Sequence, residues 1–315
     1  MSSSYQACEA LLAPKAGSDQ SAAGQLMQDS VTIARAAADS SPVPVIVAGS
    51  VGSYGACLGG GQEYSGHYIR DEEDTNEIYS SQSPLPQQVS RAYLQAWHVP
   101  RLRALMLGGC DLLACETLPC IGEIGAIGAA LDSISEGMQM PLWVSMTLQD
   151  SSTCASGEPL ADAVTAAIAA FGRRLVAVGV NCCSPHHVLG AINVIKDTLA
   201  SHELPVEVAS YPSCEAAFKG FSTDTAAVKA GTHSADAPHR VHLLAYPNAG
   251  EEWNAATHSW ETVSHGPCRT PDSAQWAALQ GTWLQAGTTL VGGCCRCGPD
   301  YISALSTLEH TCINE

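Results

Sequence analysis

The sequence predicts an α/β fold of the TIM-type (β/α)8 barrel class. Six nearly continuous apolar runs are each followed by a helical pattern, which is typical of parallel strands buried on both faces. Polar residues stand at the carboxyl ends of these runs, and in a barrel those ends meet on one face, where active sites lie. An open doubly wound sheet fits the alternation of strands and helices equally well. The placement of the polar residues favours the barrel.

Each predicted strand is an apolar run bounded by polar or turn-forming residues. The predicted strands cover residues 45–50, 110–117, 142–147, 175–180, 241–246 and 288–291. The predicted helices cover residues 18–38, 86–107, 119–137, 159–171, 185–199, 271–285 and 299–308, and several of them begin at a proline. A closed barrel needs eight strands. Six strands and a stub at residues 3–6 therefore predict a barrel that is incomplete at its N-terminus.

Two segments interrupt the alternation of strands and helices. Residues 202–240 are polar and rich in Ser, Thr, Ala and His, which predicts a long surface insertion, and residues 261–272 are a second, shorter one. A glycine-rich loop covers residues 52–66, and the acidic run at 71–74 is predicted to be a solvated turn. With 315 residues, 46% of them hydrophobic, the chain can bury one large core. We therefore predict a single domain over residues 1–315.

The charge balance excludes several classes of partner. Asp and Glu number 31 against 14 Lys and Arg, which gives a net charge of −17. Nucleic acid and anionic membrane surfaces need a basic face, so neither is expected as a partner, and no protein partner is evident. The sequence shows no signal peptide and no apolar stretch of the roughly 18 residues that span a membrane. Fourteen cysteines are few for a disulfide framework in so long a chain, which favours a reducing, cytoplasmic setting.

The cysteines near the C-terminus are the main chemical signal in the sequence. Gly292 and Gly293 end an apolar run and free the backbone before the adjacent Cys294 and Cys295. Neighbouring thiolates suit a soft or borderline metal such as zinc. Catalytic zinc usually has three protein ligands and one open position, and Cys182, at the end of another apolar run, is the best candidate for the third ligand. In a barrel these positions can converge.

Other interpretations of these residues stay open. All the candidate ligands could be buried, inert thiols. Cys297 could replace Cys295 as a ligand. His186 and His187 could bind a metal, although their position at a helix start favours exposure. Cys294 and Cys295 could form a redox dithiol, but they lack the Cys-x-x-Cys spacing that tunes such thiols.

Short motifs spread along the chain carry a family resemblance. They are Ser4–Ala7, Ala48–Gly52, Tyr54–Ala56, Glu63–Gly66, Glu116–Pro119, Gly179–Cys182, Tyr246–Asn248, Gly250–Glu251 and Gly292–Cys295. With these motifs the chain resembles the homocysteine S-methyltransferases, a family of zinc-dependent (β/α)8 barrels. The Asn-Cys motif followed by the Gly-Gly-Cys-Cys motif is the most specific feature. The motifs of the glycine-rich loop are similar to those of the S-methylmethionine-using branch rather than the betaine-using branch.

The resemblance implies a zinc ion as cofactor and a set of site residues. The implied zinc ligands are Cys182, Cys294 and Cys295. Glu116 would hold the amino group of the substrate, although it could instead be a structural helix cap. Asn181 would support or contact the substrate site, although it could simply satisfy turn backbone. Tyr5, Tyr54 and Tyr64 could line the donor site, although loop tyrosines often only pack.

The resemblance also implies an activity. A methyl group would move from S-methylmethionine, or from S-adenosylmethionine, to the zinc-bound thiolate of homocysteine, giving methionine, and the transfer itself needs no general base. Family members begin with a strand carrying an Asp-Gly-Ala-type motif, whereas this chain starts at what resembles the end of the second strand. The alternative is therefore a non-catalytic, zinc-binding remnant of the family, inactive because the first strand is lost.

Overall fold

The structure, a computed structural model, describes most of the chain. The described residues are 20–70, 77–79, 85–134, 139–204, 214–231, 239–254, 257, 259–263 and 270–308. The predicted stub at residues 3–6 and the acidic run at residues 71–74 lie outside these ranges. In the described ranges, no helix has the length and apolar character needed to cross a bilayer.

Parallel strands form one six-stranded sheet at the centre of the fold. In chain order they are β1 (Ala48–Gly52), β2 (Leu112–Leu118), β3 (Leu142–Met146), β4 (Leu175–Asn181), β5 (His242–Tyr246) and β6 (Leu290–Val291). Each strand pairs with its neighbours in the chain, so the order across the sheet is β1-β2-β3-β4-β5-β6. This sequential parallel order is that of a TIM barrel. This order confirms the predicted fold class. Among the described residues the sheet is open, with β1 and β6 at its edges.

Helices connect the strands and cover the outer face of the sheet. They are α1 (Gln20–Asp39), α2 (Tyr54–Leu58), α3 (Arg91–Leu107), α4 (Ile121–Asp132), α5 (Leu160–Phe171), α6 (Pro185–Ser201), α7 (Cys214–Ala230), α8 (Ser273–Gln285) and α9 (Pro299–Leu308). Strand side chains alternate between the two faces of the sheet. On the outer face, Leu113, Val144 and Val178 belong to the buried cluster between the strands and the helices. That buried cluster also includes Ile127 of α4 and Val164 of α5.

Helix α7 is the exception, because it packs on the inner face of the sheet. Its residues Phe221 and Val228 are buried and lie seven positions apart, on one side of the helix. They cluster with inward-facing strand residues Leu112, Val176 and Leu244. The polar composition of residues 202–240 predicted a surface insertion, whereas α7 within this range buries one side against the sheet. The few large apolar residues of α7 gave too weak a helical period to be recognised.

The other differences from the predicted elements are small. Strand β6 has two half-buried residues where the sequence predicted a buried strand over residues 288–291, because β6 pairs only with β5 at the sheet edge. A short 3₁₀ turn, Gln62–Tyr64, follows α2 in the glycine-rich loop. Two antiparallel ribbons lie outside the sheet: Ile78–Tyr79 with Pro86–Gln88, and Glu252–Asn254 with Ser259–Glu261.

Candidate functional site

Three cysteine sulfurs meet at the carboxyl-terminal edge of the sheet. The Sγ atoms of Cys182, Cys294 and Cys295 all lie within 4.8 Å of one another. The Cys182 and Cys295 sulfurs are 3.8 Å apart, and the Cys294 and Cys295 sulfurs are 4.0 Å apart. Cys182 and Cys294 are joined by a disulfide, and their Cα atoms are 5.6 Å apart. The fold therefore brings together residues that are 112 and 113 positions apart in the chain.

Cys182 follows the last residue of β4 in a left-handed backbone conformation. Its φ is 49°, which is uncommon for a residue with a Cβ atom. The backbone N–H of Cys182 donates to the carbonyl of Tyr246 at 3.3 Å. The Thr147 hydroxyl, which follows β3, donates to the carbonyl of Cys182 at 3.3 Å. Hydrogen bonds from both neighbouring strands thus hold this unusual turn in place.

Asn181 links the ends of β4 and β2. Its Oδ1 accepts from the backbone N–H of Thr117 at 2.8 Å, and its Nδ2 donates to the Thr117 hydroxyl at 2.7 Å. Thr117 itself has a φ of 57°, so the amide stabilises a second strained position. Oδ1 and Nδ2 of Asn181 both bond to Thr117, and the residue is buried.

Backbone contacts anchor the loop that carries the adjacent cysteines. The N–H of Cys294 donates to a carbonyl in the turn after β5 at 2.8 Å, and the carbonyl of Cys295 accepts from Ala249 N at 3.0 Å. Gly293 must lack a side chain, because a Cβ atom there would lie 2.6 Å from Cys297 Cβ. Among the described residues, Cys297 is not part of the three-sulfur group that could hold a metal.

The donor set and its spacing fit a zinc ion. Thiolates are preferred zinc ligands, and Zn–S bonds of about 2.3 Å in a tetrahedral site place sulfurs about 3.8 Å apart. The two non-bonded sulfur separations, 3.8 and 4.0 Å, match that value. With the disulfide reduced, the same positions offer three ligands. The Cys294 and Cys295 sulfurs are not bonded to each other in this structure.

A buried carboxylate lies at the same edge of the sheet. Glu116 of β2 is 8% exposed and accepts hydrogen bonds from the hydroxyls of Ser50 and Tyr246, the latter at 3.0 Å. The Tyr246 hydroxyl also lies 2.6 Å from Ser145 Oγ and accepts from Trp143 Nε1 at 3.2 Å. Burial and the charge of Glu116 raise the pKa of Tyr246, which keeps the phenol protonated as a donor. Side chains of β1 and β5 therefore hold the Glu116 carboxyl group.

The hydrogen bond between Glu116 and Tyr246 shows that the sheet is curved. Two strands, β3 and β4, lie between β2 and β5. In a flat sheet, strands three places apart would be separated by roughly 14 Å. A direct 3.0 Å hydrogen bond across the inner face requires the sheet to curl, as it does in a barrel.

Three hydroxyl residues in the hydrogen-bonded group around Glu116 had no predicted role: Ser50, Ser145 and Tyr246. Each is a hydroxyl residue near the carboxyl end of an apolar strand, on the same face as Glu116. That signal was present as a period of two along each strand. It could not be interpreted without knowing which strands face each other.

The remaining candidate residues have different outcomes. Tyr5 lies outside the described residues. Tyr54 is buried, and its hydroxyl donates to a backbone carbonyl at 2.7 Å, so it packs in the core. Tyr64 lies at the site. Burial raises the pKa of the Cys295 thiol, and a hydrogen bond from the Tyr64 hydroxyl to the Cys295 sulfur opposes this shift. His186 and His187 are half-buried and, within the described part of the chain, do not join the metal-binding group.

A second buried cluster anchors the loop that carries Tyr64. Glu123 accepts from the backbone N–H of Tyr54 at 2.6 Å, accepts from the Tyr68 hydroxyl, and lies 3.0 Å from His98 Nε2. Arg101 donates to the last carbonyl of β1 at 3.0 Å. Burial lowers the pKa of His98, opposed by its bond to Glu123, and the neutral ring can donate from Nε2. The cluster ties the glycine-rich loop to α3 and α4.

Comparison with known proteins shows the family to which the chain belongs and agrees with its architecture. The family model described as homocysteine S-methyltransferase matches residues 1–308. The homocysteine S-methyltransferase of Escherichia coli strain K12 is 32% identical over 97% of this chain and 77% of its own length. Two crystal structures of the homocysteine methyltransferase MmuM from Escherichia coli match this chain. The oxidized form is 30% identical to it in sequence, and the metallated form is 29% identical. Each superposes with a TM-score of 0.63 over 98% of this chain and 78% of that chain. The chain belongs to the homocysteine S-methyltransferase family.

Proposed function

We propose that this chain transfers a methyl group from a sulfonium donor, S-methylmethionine or S-adenosylmethionine, to homocysteine, with zinc held by Cys182, Cys294 and Cys295. The observation that carries the proposal is the meeting of three sulfurs from distant parts of the chain within 4.8 Å. A relative of known structure exists in a metallated form, which supports a metal at this site. A zinc ion bound there would bind the homocysteine sulfur and favour its thiolate at neutral pH.

The transfer balances without a protein base. The bond between the methyl carbon and the donor sulfur breaks, and its electron pair stays on that sulfur, which becomes a neutral thioether. The homocysteine sulfur supplies the electron pair of the new bond, and the product is methionine. Because charge is neutralised in this step, the main task of the protein is to align the two sulfurs and exclude water.

We assign substrate recognition to Glu116. Its buried carboxyl group accepts hydrogen bonds from two hydroxyls, and a carboxylate in this position can bind the ammonium group of homocysteine. Asn181 is proposed as a positioning residue. Its side-chain amide is hydrogen-bonded to Thr117, and the residue directly precedes Cys182 in the chain. Tyr5 remains a proposed substrate contact on the family resemblance alone.

The test is a methionine-forming assay with homocysteine and each donor, combined with metal analysis. We expect about one zinc per chain, lost together with activity in Cys182→Ser, Cys294→Ser and Cys295→Ser. Cys57→Ser, a half-buried cysteine outside the three-sulfur group, is the control and should keep both. If Cys297→Ser loses zinc while Cys295→Ser retains it, the ligand assignment is wrong.

A second measurement separates the enzyme from a non-catalytic zinc-binding remnant. Cobalt can replace zinc and report its ligands by its visible spectrum. If homocysteine binds, the spectrum of the cobalt protein should change when the thiol is added. An unchanged spectrum, together with no methionine from either donor, would refute the proposed activity.

A further inference from the structure

The 3₁₀ turn Gln62–Tyr64 carries a second acidic group to the site. The turn packs tightly on α2, since a Cβ atom at Gly55 would lie 2.7 Å from Gln62 C and from Glu63 N. The Tyr64 ring contacts Trp260 in the ribbon that begins at Glu252. The residue before this ribbon, Glu251, accepts a hydrogen bond from Arg296, the neighbour of Cys295, at 2.8 Å. The turn therefore lies on the side of the fold that carries Cys294 and Cys295.

The Glu63 carboxylate lacks a partner for one of its oxygens. Its Oε2 is shielded from solvent and has no hydrogen-bond partner among the described residues. The residue is half-buried, and burial raises its pKa. A shielded, ionised oxygen without a partner is costly unless a cation or donor approaches it. The structure thus leaves a carboxyl oxygen without a partner on the side of the site where a positively charged sulfur could approach it.

An aromatic wall borders this carboxylate. Tyr64 and Trp260 stand edge to face, with ring centroids 6.2 Å apart. Trp260 belongs to the ribbon strand Ser259–Glu261, which follows β5 in the chain. Aromatic faces attract cations that lack hydrogen-bond donors, such as quaternary ammonium groups. A methylated sulfonium has the same character.

We infer that Glu63, together with the Tyr64 and Trp260 rings, recognises the sulfonium charge of the methyl donor. The inference rests on the proposed function and names the group that selects its second substrate. Methyl transfer converts the sulfonium into an uncharged thioether, so the same contacts hold the donor and release the product. Glu63 is a binding residue in this scheme, and it takes no proton during the reaction.

This role has a kinetic signature. The positive charge on the donor sulfur falls in the transition state, so a nearby carboxylate stabilises the bound donor more than the transition state. Removing the charge of Glu63 should weaken binding of the methyl donor without slowing the methyl-transfer step. A residue that only supports the fold would lower kcat and zinc content as well.

The experiment uses the full zinc-loaded chain and the variant Glu63→Gln. Calorimetry measures binding of S-methylmethionine and of methionine, which differ in the charge on sulfur. In Glu63→Gln we expect the preference for S-methylmethionine over methionine to fall roughly tenfold or more, and the KM for the donor to rise similarly. The value of kcat, the KM for homocysteine and the zinc content should not fall. Glu63→Asp should restore part of the preference.

Glu203→Gln removes the same charge from an exposed position after α6 and should behave like the wild type. An unchanged binding preference in a folded, zinc-loaded Glu63→Gln protein would overturn the inference. If the wild type binds S-methylmethionine in a Glu63-dependent way but forms no methionine, the proposed function fails and the sulfonium site stands. Circular dichroism and zinc analysis identify a variant that has not folded, and Glu63→Asp then provides the comparison.

Discussion

Gly179, in the middle of β4, is the position where a single added methyl group should do most damage. It pairs with Leu244 of β5. A Cβ atom at residue 179 would lie 1.7 Å from the carbonyl oxygen of Leu244, and real Cβ atoms essentially never approach within 3.0 Å. Gly179→Ala must therefore push the two strand backbones apart by at least 1.3 Å locally.

The cost of that movement can be estimated from its parts. Overpacking a core typically costs about 1–3 kcal/mol, and each ladder hydrogen bond that is lost adds about 0.5–1.5 kcal/mol. We expect Gly179→Ala to lower the free energy of unfolding by about 3–5 kcal/mol, a large share of typical domain stability. The same strands end at Cys182 and Tyr246, whose backbones are hydrogen-bonded at 3.3 Å. Zinc affinity should therefore fall too.

Urea denaturation followed by circular dichroism measures the stability, and metal analysis measures the zinc. Gly125→Ala is the matched control, because it adds the same methyl group within α4, with no atom inside 4 Å of the new Cβ. It should be neutral or stabilise the chain by up to about 1 kcal/mol. If Gly179→Ala has the same urea midpoint as the wild type and keeps its zinc, β4 and β5 do not approach as closely at Gly179 as the structure shows.

Three further changes test other parts of the structure. Tyr246→Phe removes a hydrogen bond to the Glu116 carboxylate and should raise the KM for homocysteine roughly tenfold in steady-state assays. Phe221→Ala empties the contact between α7 and the inner sheet face and should lower the free energy of unfolding by about 3–5 kcal/mol in urea. The pKa of His98 is lowered in the folded state, so the unfolded chain binds more protons at acidic pH. Stability should fall below about pH 6.5, by at most about 1.4 kcal/mol per pH unit from this residue, and His98→Gln should flatten that slope.

Each of these has its own control. An unchanged KM for homocysteine in Tyr246→Phe would remove Tyr246 from the recognition of this substrate. Phe221→Leu, which keeps much of the apolar volume, should be milder than Phe221→Ala, and equal stability of all three proteins would mean that α7 is not docked. A wild-type slope in His98→Gln would show that other groups cause the acid sensitivity.

The periodic features of the chain could be read from its sequence. The apolar runs of β2 and β4 are buried on both faces, so their burial shows in the sequence as continuous hydrophobic stretches. The vicinal cysteines after two glycines pointed to a metal without any structure. Helix α7 could not be predicted in this way, because Phe221 and Val228 bury against a sheet face that only the fold creates.

What the sequence determined by itself is the alternation of strands and helices and the kinds of side chain at the strand ends. Those properties are local, since they depend on residue type and on spacing along the chain. What only the tertiary structure decided is which side chains meet across the curved sheet. The contacts of Tyr246 with Glu116, of Asn181 with Thr117 and of Tyr64 with the Cys295 sulfur join residues that are far apart in sequence. Such contacts depend on strand order and curvature, which no local pattern encodes.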